Sequence, residues 1–159
     1  MMTGHKPGTM EKKILGWREW AILNSLNLPP IKAKVDTGAR TSALHAFELN
    51  TFFEGGQRWV HFSIHPRQDK RLVRVCVAPV IDHRLVSDSG GHRSLRYLIE
   101  SSLTLGNETF PIELSLTGRE TMRFRLLLGR SALLHRYTVD PGLSFCMGKK
   151  PSFITPGSW

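Results

Sequence analysis

The chain has 159 residues, 40% of them hydrophobic, and this length suits one domain that buries most of its apolar side chains. No run approaches the ~20 apolar residues of a membrane span, and two cysteines far apart in sequence, Cys76 and Cys146, argue against a disulfide framework or a four-cysteine metal site. The 22 Lys and Arg against 13 Asp and Glu give a formal charge of +9, which favours acidic partners: nucleic acid, acidic peptide or acidic protein.

The two ends of the chain are predicted to lie outside the folded domain. Residues 1–13 are polar, contain glycine and lack the apolar stretch of a secretion signal. We therefore expect a flexible segment there, and a cytoplasmic protein with no membrane partner. Residues 149–159 are predicted to form an irregular tail, and the sequence between, 14–148, a single domain.

One predicted strand, Ile31–Val35, alternates apolar and polar residues and ends at Asp36-Thr37-Gly38-Ala39. A carboxylate at the end of a buried strand is costly unless neighbouring donors satisfy it. Thr37 offers a hydroxyl, Gly38 lets the backbone bring its amide close to the carboxylate, and Ala39 leaves room beside it. The turn is therefore suited to hold an acid in a tight place, in a structural or a catalytic role.

Alternating or continuous apolar runs predict mainly β-strands in the rest of the domain, with turn residues between them. Short strands at regular spacing favour an all-β barrel or sandwich built from antiparallel hairpins. Helical periodicity is scarce, with one short helix predicted around Ser131–His135 and a weaker possibility near Thr41–Phe47. The main predicted strands are Arg58–His65, Arg71–Ile81, Arg93–Leu105 and Phe110–Leu116.

A second motif lies downstream in "FRLLLGRSALL", an apolar strand that ends at Gly129-Arg130 and leads into the short helix. The pairing of an Asp-Thr-Gly-Ala strand with a later Leu-Leu-Gly-Arg strand and helix resembles the retropepsins, the half-size aspartic proteases that include the retroviral enzymes. The resemblance implies a closed β-barrel of the acid-protease fold, in which Gly129 and Arg130 give structural support to the catalytic turn.

Retropepsins carry a glycine-rich hairpin, the flap, between these two motifs. Here Gly90-Gly91 forms the tip of such a hairpin, and the resemblance implies that these glycines contact the substrate. The segment between residues 46 and 79 is an addition that a minimal retropepsin lacks, and we predict an inserted β-hairpin there. Its Gly55-Gly56 turn is a rival candidate for the flap.

A closer resemblance is to a small bacterial family labelled ATP-dependent zinc proteases, whose members are often encoded beside glutamate ligases that modify ribosomal protein tails. It rests on "KVDTGARTSALHA", "SGG", "RY", "ELSLTGRETMRFRLLLGR" and "VDPG", and covers about residues 14–144. The chain contains neither a His-Glu-x-x-His zinc motif nor a Gly-x-x-x-x-Gly-Lys-Ser/Thr phosphate loop. We therefore expect aspartic-protease chemistry, with no metal ligands and no cofactor.

The resemblance implies a homodimer, because one Asp-Thr-Gly supplies one carboxylate and water activation uses two that share a proton. In that arrangement Asp36 of each subunit activates water or protonates the carbonyl, Thr37 braces the turns, and Gly38 adds backbone contacts. Ala39 and Arg40 would line the substrate site, where Arg40 either raises the working pH or binds an acidic substrate. We predict an aspartic endopeptidase whose peptide or protein substrate is an acidic or polyglutamylated tail.

A zinc site is the first alternative. His61 and His65 would converge on one ion in a helix, but in a strand they lie about 13 Å apart at ~3.3 Å per residue. Cys76, His83 or His92 would complete such a site only through folding that the sequence does not show.

A binding module is the second alternative, because the same fold would hold acidic peptides in its cleft without cleaving them. Nucleic-acid binding is disfavoured. The basic segment His65–Arg74 lacks interleaved aromatic residues for base stacking and matches no nucleic-acid-binding signature.

Overall fold

The structure is a computed structural model that describes residues 11–69, 71–118 and 122–152. Nearly all of its regular structure is β-strand, which confirms the predicted all-β class. In the described residues the α-helix α1 is a single turn, Arg130–Leu133, close to the predicted position. The strands are β1 Lys13–Leu15, β2 Arg18–Leu23, β3 Ile31–Val35, β4 Ser42–His45, β5 Phe47–Glu54, β6 Gln57–Ile64, β7 Arg74–Pro79, β8 Asp82–Ser87, β9 Arg93–Leu105, β10 Glu108–Thr117, β11 Leu126–Leu128 and β12 Tyr137–Val139.

Six strands close into a ring in the order β2, β3, β11, β4, β10 and β9, with β9 pairing back onto β2. β8 pairs with the N-terminal half of β9 and extends the sheet beyond the ring. The ring is less regular than the predicted closed barrel, because β11 has three residues and β9 has 13. It also mixes parallel pairs, such as β10 with β4, with antiparallel ones.

The alternation that predicted the strands also places the core. In β9, Leu103 and Leu105 are fully buried, whereas the intervening Thr104 is only partly buried. A turn with Gly106 in the left-handed region (φ 59°), where glycine is unstrained, joins β9 to β10. Burial of the inward leucines and isoleucines of the ring is the main source of stability for such a sheet.

β11 lies between the two strands that flank the Asp-Thr-Gly-Ala turn. Leu126 of β11 is opposite Ala33 in a parallel pair with β3 and opposite Leu44 in an antiparallel pair with β4. The parallel pairing, in which Leu128 is opposite Val35, brings the ends of β3 and β11 together. The prediction of a possible helix near Thr41–Phe47 is wrong, because this segment contains β4. The four residues of β4 are buried, and the strand pairs with β10 and β11. Tertiary pairing outweighs local propensity here.

The insertion forms a three-stranded antiparallel sheet of β5, β6 and β7. The predicted hairpin is therefore present and a third strand extends it. Its inner face joins the main core through Val60, Phe62 and Ile64, all fully buried.

A buried carboxylate holds the segment that follows β12. Glu19 of β2 is fully buried and accepts hydrogen bonds from the amides of Gly16 (2.7 Å), Cys146 (2.9 Å) and Met147 (3.0 Å). Three donors offset the cost of removing this carboxylate from water. β1 and β12 pair with each other in parallel, so the two ends of the domain meet within one chain.

The predicted terminal segments fall largely outside the described residues. These residues include only 11–13 of the N-terminal segment and 149–152 of the tail. No helix in the described part of the chain is long and apolar enough to cross a membrane.

Candidate active site

The Asp-Thr-Gly-Ala turn follows β3 directly, and its own backbone amides hold the carboxylate. The Gly38 amide donates to Asp36 Oδ1 at 3.1 Å, the contact expected from the sequence, and the Ala39 amide donates to the Asp36 carbonyl at 3.2 Å. The Asp36 amide donates to the carbonyl of Leu128 in β11 at 2.8 Å. Asp36 is partly buried and Thr37 is exposed, so the turn presents a fixed carboxylate at the surface of the ring.

The end of β11 supports the turn from below. The amides of Arg130 and Ser131 donate to the carbonyls of Ala39 (2.8 Å) and Arg40 (2.9 Å). The Arg130 guanidinium donates to the Thr37 carbonyl at 3.0 Å. Arg130 thus contacts the turn through a backbone carbonyl. It makes no ion pair with a described residue.

Sequence reasoning missed Ser42, which belongs to the same support. Its buried hydroxyl accepts a hydrogen bond from the Gly129 amide at 3.0 Å, and its carbonyl accepts one from the Ser115 hydroxyl at 3.1 Å. The available signal was a hydroxyl residue at the start of an apolar run shortly after the turn.

We expect Gly129→Ala to destabilise the domain by about 3 kcal/mol or more, measured as unfolding free energy by chemical denaturation. An added Cβ would lie 2.7 Å from the carbonyl carbon of Thr41 and 2.9 Å from the carbonyl oxygen of Arg40. Both are backbone atoms, which move only if the turn moves. Gly118→Ala is the control, because the nearest atom there is 3.7 Å away. Equal losses in the two variants would contradict this explanation.

The hairpin between β8 and β9 lies directly against the turn. A Cβ added at Gly38 would be 3.0 Å from the Cβ of Ser89, near the hairpin tip. By contrast, Gly55 and Gly56 of the inserted sheet lie in open space. Of the two candidate flaps, the Gly90-Gly91 hairpin is thus the one beside Asp36.

The tip of this hairpin is organised by Asp88. Its Oδ1 accepts hydrogen bonds from the amides of Gly90 and His92, both at 2.9 Å. Gly91 has φ 84°, a conformation that favours glycine. The glycines therefore shape the tip, and both are exposed to solvent.

A small cavity lies between the hairpin and the turn, and Arg96 of β9 lines it together with Asp36, Ala39 and Asp88. Arg96 is only 6% exposed, and it donates to the hydroxyls of Ser94 (2.8 Å) and Ser115 (3.2 Å). Sequence reasoning also missed this buried cation. Its position two residues before Leu98, on the same inward face of β9, could have indicated it.

A larger polar cavity of about 530 Å³ borders Gly38 and is lined in part by Arg40, Arg84 and Arg130. Arg84 pairs with Asp82 (2.6 Å) and Glu113 (3.0 Å), and its hydrogen bond lowers the pKa of the Asp82 carboxyl. Arg40 is exposed and makes no ion pair with a described residue. Its charge therefore remains available to a ligand in this cavity.

An apolar groove of about 470 Å³ borders the turn on the side of Thr37. Leu134, just after α1, lines it and is 59% exposed. The other apolar lining residues lie in β3, α1 and β12, just before β2 or just after β12: Trp17, Val35, Leu133, Tyr137, Val139 and Pro141.

Two of the residues named for a zinc site stack on aromatic rings in different parts of the fold. His65 stacks on Phe47 at 4.6 Å and His83 on Tyr97 at 4.1 Å. Burial raises the pKa of the Cys76 thiol to about 11, which disfavours the thiolate that metals bind. Across residues 11–69, 71–118 and 122–152, no three His, Cys, Asp or Glu side chains gather closely enough to hold a metal ion.

A ring of strands in which two parallel neighbouring strands hold an Asp-Thr-Gly turn against a glycine-tipped hairpin is typical of the retropepsin-like class of β-proteins. The chain belongs to the RimB-like family, described as "Retropepsin-like aspartic endopeptidase RimB", which matches residues 14–150. The resemblance drawn from the two motifs is thereby confirmed.

Relatives named "Probable alpha-L-glutamate ligase" are similar over most of this chain. The one from Desulfotalea psychrophila is 44% identical over 139 residues, covering 87% of this chain and 30% of its own. The one from Shewanella pealeana is 43% identical over 140 residues, covering 87% and 31%. The chain thus spans about a third of the length of these relatives, whose name describes much longer proteins.

A solved structure extends the comparison. A Legionella pneumophila protein of unknown function is 26% identical to this chain, with a TM-score of 0.70. The match covers 86% of this chain and 99% of the other. Most of this fold therefore also occurs in a solved protein chain.

Proposed function

We propose that the chain is a homodimeric aspartic endopeptidase whose catalytic group is Asp36. The observation that carries this proposal is the position of the Asp36 carboxylate, held by the Gly38 amide at the end of β3 and beneath the Gly90-Gly91 hairpin. Membership of a family described as aspartic endopeptidases supports the same chemistry. A peptidase assay that compares the unmodified chain with Asp36→Asn tests it.

In the proposed mechanism, two Asp36 carboxylates meet across a two-fold axis and share one proton, because like charges about 3 Å apart do not both ionise. The ionised carboxylate takes a proton from water, which attacks the peptide carbonyl, and the protonated one donates to the carbonyl oxygen. The Gly38 amide orients one carboxylate oxygen, and the hairpin closes over the substrate and excludes water.

The apolar groove beside Thr37 is the proposed dimer face. A second copy placed there would bring the two exposed Thr37 side chains, and hence the two turns, towards each other. Leu134 is largely exposed in one chain, and a two-fold interface would bury it. Since β1 and β12 already pair within the chain, α1 and the residues after it would supply much of the contact.

The proposed substrate is an acidic peptide segment such as a polyglutamylated tail. Arg40 presents an uncommitted guanidinium beside the turn, and the chain has a formal charge of +9. The names of the relatives support the same substrate class, since a glutamate ligase adds the residue type that such a peptidase would remove.

We expect Arg40→Gln to lower kcat/KM for a glutamate-rich peptide by about tenfold, because a charged hydrogen bond to the substrate is lost. For the same peptide with glutamine in place of glutamate, kcat/KM should be nearly unchanged. Arg67→Gln is the matched control, since Arg67 is exposed and lines neither cavity beside the turn. An equal loss on both peptides would remove the role in acid recognition.

A second candidate is a non-catalytic module that holds acidic tails for a ligase. The relatives favour it, since in them a segment similar to this chain forms part of a protein named as a ligase. The two candidates differ in one measurement: a module binds a glutamate-rich peptide and leaves it intact.

A further inference from the structure

Cations and aromatic rings from three parts of the chain meet on the outer side of β2 and β3, in a basic–aromatic cluster of Arg18, Trp20, Lys32, Phe145 and Lys150. Trp20 and Phe145 stack with centroids 6.0 Å apart and an angle of 20°. The amines of Lys32 and Lys150 lie 5.5 Å and 5.4 Å from the Trp20 ring, and the Arg18 guanidinium lies 4.8 Å from the Phe145 ring.

Sheet register explains why the cluster forms. Trp20 is opposite Lys32 in the antiparallel pair of β2 and β3, so their side chains share one face. Glu19, the next residue along β2, points inward and binds the amides of Cys146 and Met147. This anchor sets Phe145 over the outward Trp20.

The positive charge of the cluster is largely uncompensated. Arg18, Lys32 and Lys150 make no ion pair with any residue that the structure describes. The Phe145 stack and the hydrogen bonds to Glu19 are enough to anchor the C-terminal segment. Several neighbouring cations are not needed for this and repel one another. Such an arrangement favours an anionic ligand.

A cavity of about 520 Å³ opens beside the cluster, with Trp20 as one wall. Lys13 and Lys149 also line it, with backbone from Gly106 and Gly148. It shares no lining residue with either cavity beside Asp36. The cavity thus combines an aromatic wall with flanking amines.

We propose that the Trp20 cavity and the basic–aromatic cluster bind single-stranded nucleic acid. A base would stack on the aromatic wall, and Lys32, Lys149 and Lys150 would contact phosphates. An acidic peptide would use the amines, but it has no planar group for the Trp20 wall. This proposal is independent of peptide cleavage at Asp36.

Fluorescence anisotropy of a short labelled RNA, and of DNA of the same sequence, tests the proposal on the full chain. Trp20→Leu should weaken binding about tenfold, because base stacking is lost. The double variant Lys32→Gln/Lys150→Gln should reduce the slope of log affinity against log salt by about 0.7 per lysine, or about 1.4. Equal affinities for RNA and DNA would indicate recognition through base and phosphate. A higher affinity for RNA would indicate an added contact to the 2′-hydroxyl.

Arg58→Gln is the control, because Arg58 lies 4.9 Å from the Phe53 ring on the inserted sheet, a similar contact outside the cluster. It should bind as the unmodified chain does, and so should Asp36→Asn, which separates this proposal from the proposed catalysis. An unchanged salt slope in the lysine variant would overturn the proposal even if Trp20→Leu failed to fold. Displacement of the oligonucleotide by equimolar poly-L-glutamate would identify an acidic-peptide surface instead.

Discussion

Asp36→Asn is expected to lower kcat for peptide hydrolysis by about a thousandfold or more, because a neutral amide neither takes a proton from water nor shares one across the dyad. The change is nearly isosteric, and the amide oxygen retains an acceptor for the Gly38 amide, which donates at 3.1 Å to Asp36 Oδ1. Folding and dimerisation should therefore persist, and peptide cleavage followed by mass spectrometry measures the loss.

The matched control is Asp140→Asn. Asp140 opens another Asp-x-Gly turn, and its Oδ1 accepts a hydrogen bond from the Gly142 amide at 2.9 Å, so the local geometry resembles that of the Asp36 turn. Asp140 lines none of the cavities beside Asp36, and its variant should keep full activity. If Asp36→Asn cleaved peptide at the unmodified rate, the catalytic assignment would be lost. If the unmodified chain bound the peptide without cleaving it, the non-catalytic acidic-peptide module would be the remaining candidate.

The second large effect is expected from Leu134→Arg, which should weaken dimerisation by about a hundredfold or more and reduce activity in parallel. Two-fold symmetry places the substitution in the interface twice, and each guanidinium would be buried without a partner. Leu134 is already 59% exposed in the single chain, so the fold itself should tolerate the change. Sedimentation across a range of protein concentrations measures the shift to monomer.

Val75→Arg is the control for this prediction, since Val75 is 61% exposed and lies on the inserted sheet. It should leave both the dimer and the activity intact. A Leu134→Arg chain that remained dimeric and active would move the interface to another face. A chain that remained dimeric but inactive would instead point to a role of this position in substrate contact.

The two motifs that identified the candidate site were readable because their requirements are local. The Gly38 amide donates a hydrogen bond to the Asp36 carboxylate within a single turn. Position 129 requires glycine because a Cβ there would lie within 3 Å of backbone atoms. The predicted strand Arg93–Leu105 matches β9 in full, since alternation over 13 residues is a strong signal. In contrast, Thr41–Phe47 carries too short a pattern to distinguish a helix from the strand that pairing imposed.

The residues that were missed depend on distant partners. Ser42 bonds to Gly129, 87 positions away, and Arg96 is stabilised by the hydroxyl of Ser115 across the β9–β10 pair. From the sequence, nucleic-acid binding was disfavoured because the basic segment at 65–74 lacks aromatic residues. The fold instead gathers cations and rings from β2, β3 and the segment after β12, which no linear window contains.

The sequence by itself determined the all-β class, the Asp-Thr-Gly-Ala turn, its glycine-supported partner strand and the likeness to retropepsins. These features follow from side-chain period and from backbone conformations that only certain residues adopt. The tertiary structure alone decided that the Gly90-Gly91 hairpin, and not Gly55-Gly56, lies against Asp36, that Arg40 faces an open polar cavity, and that Trp20 meets Phe145. The physical reason is that strand register and ring closure bring together segments far apart in the chain, and the free energy that selects them comes from burial of the whole core rather than from any one segment.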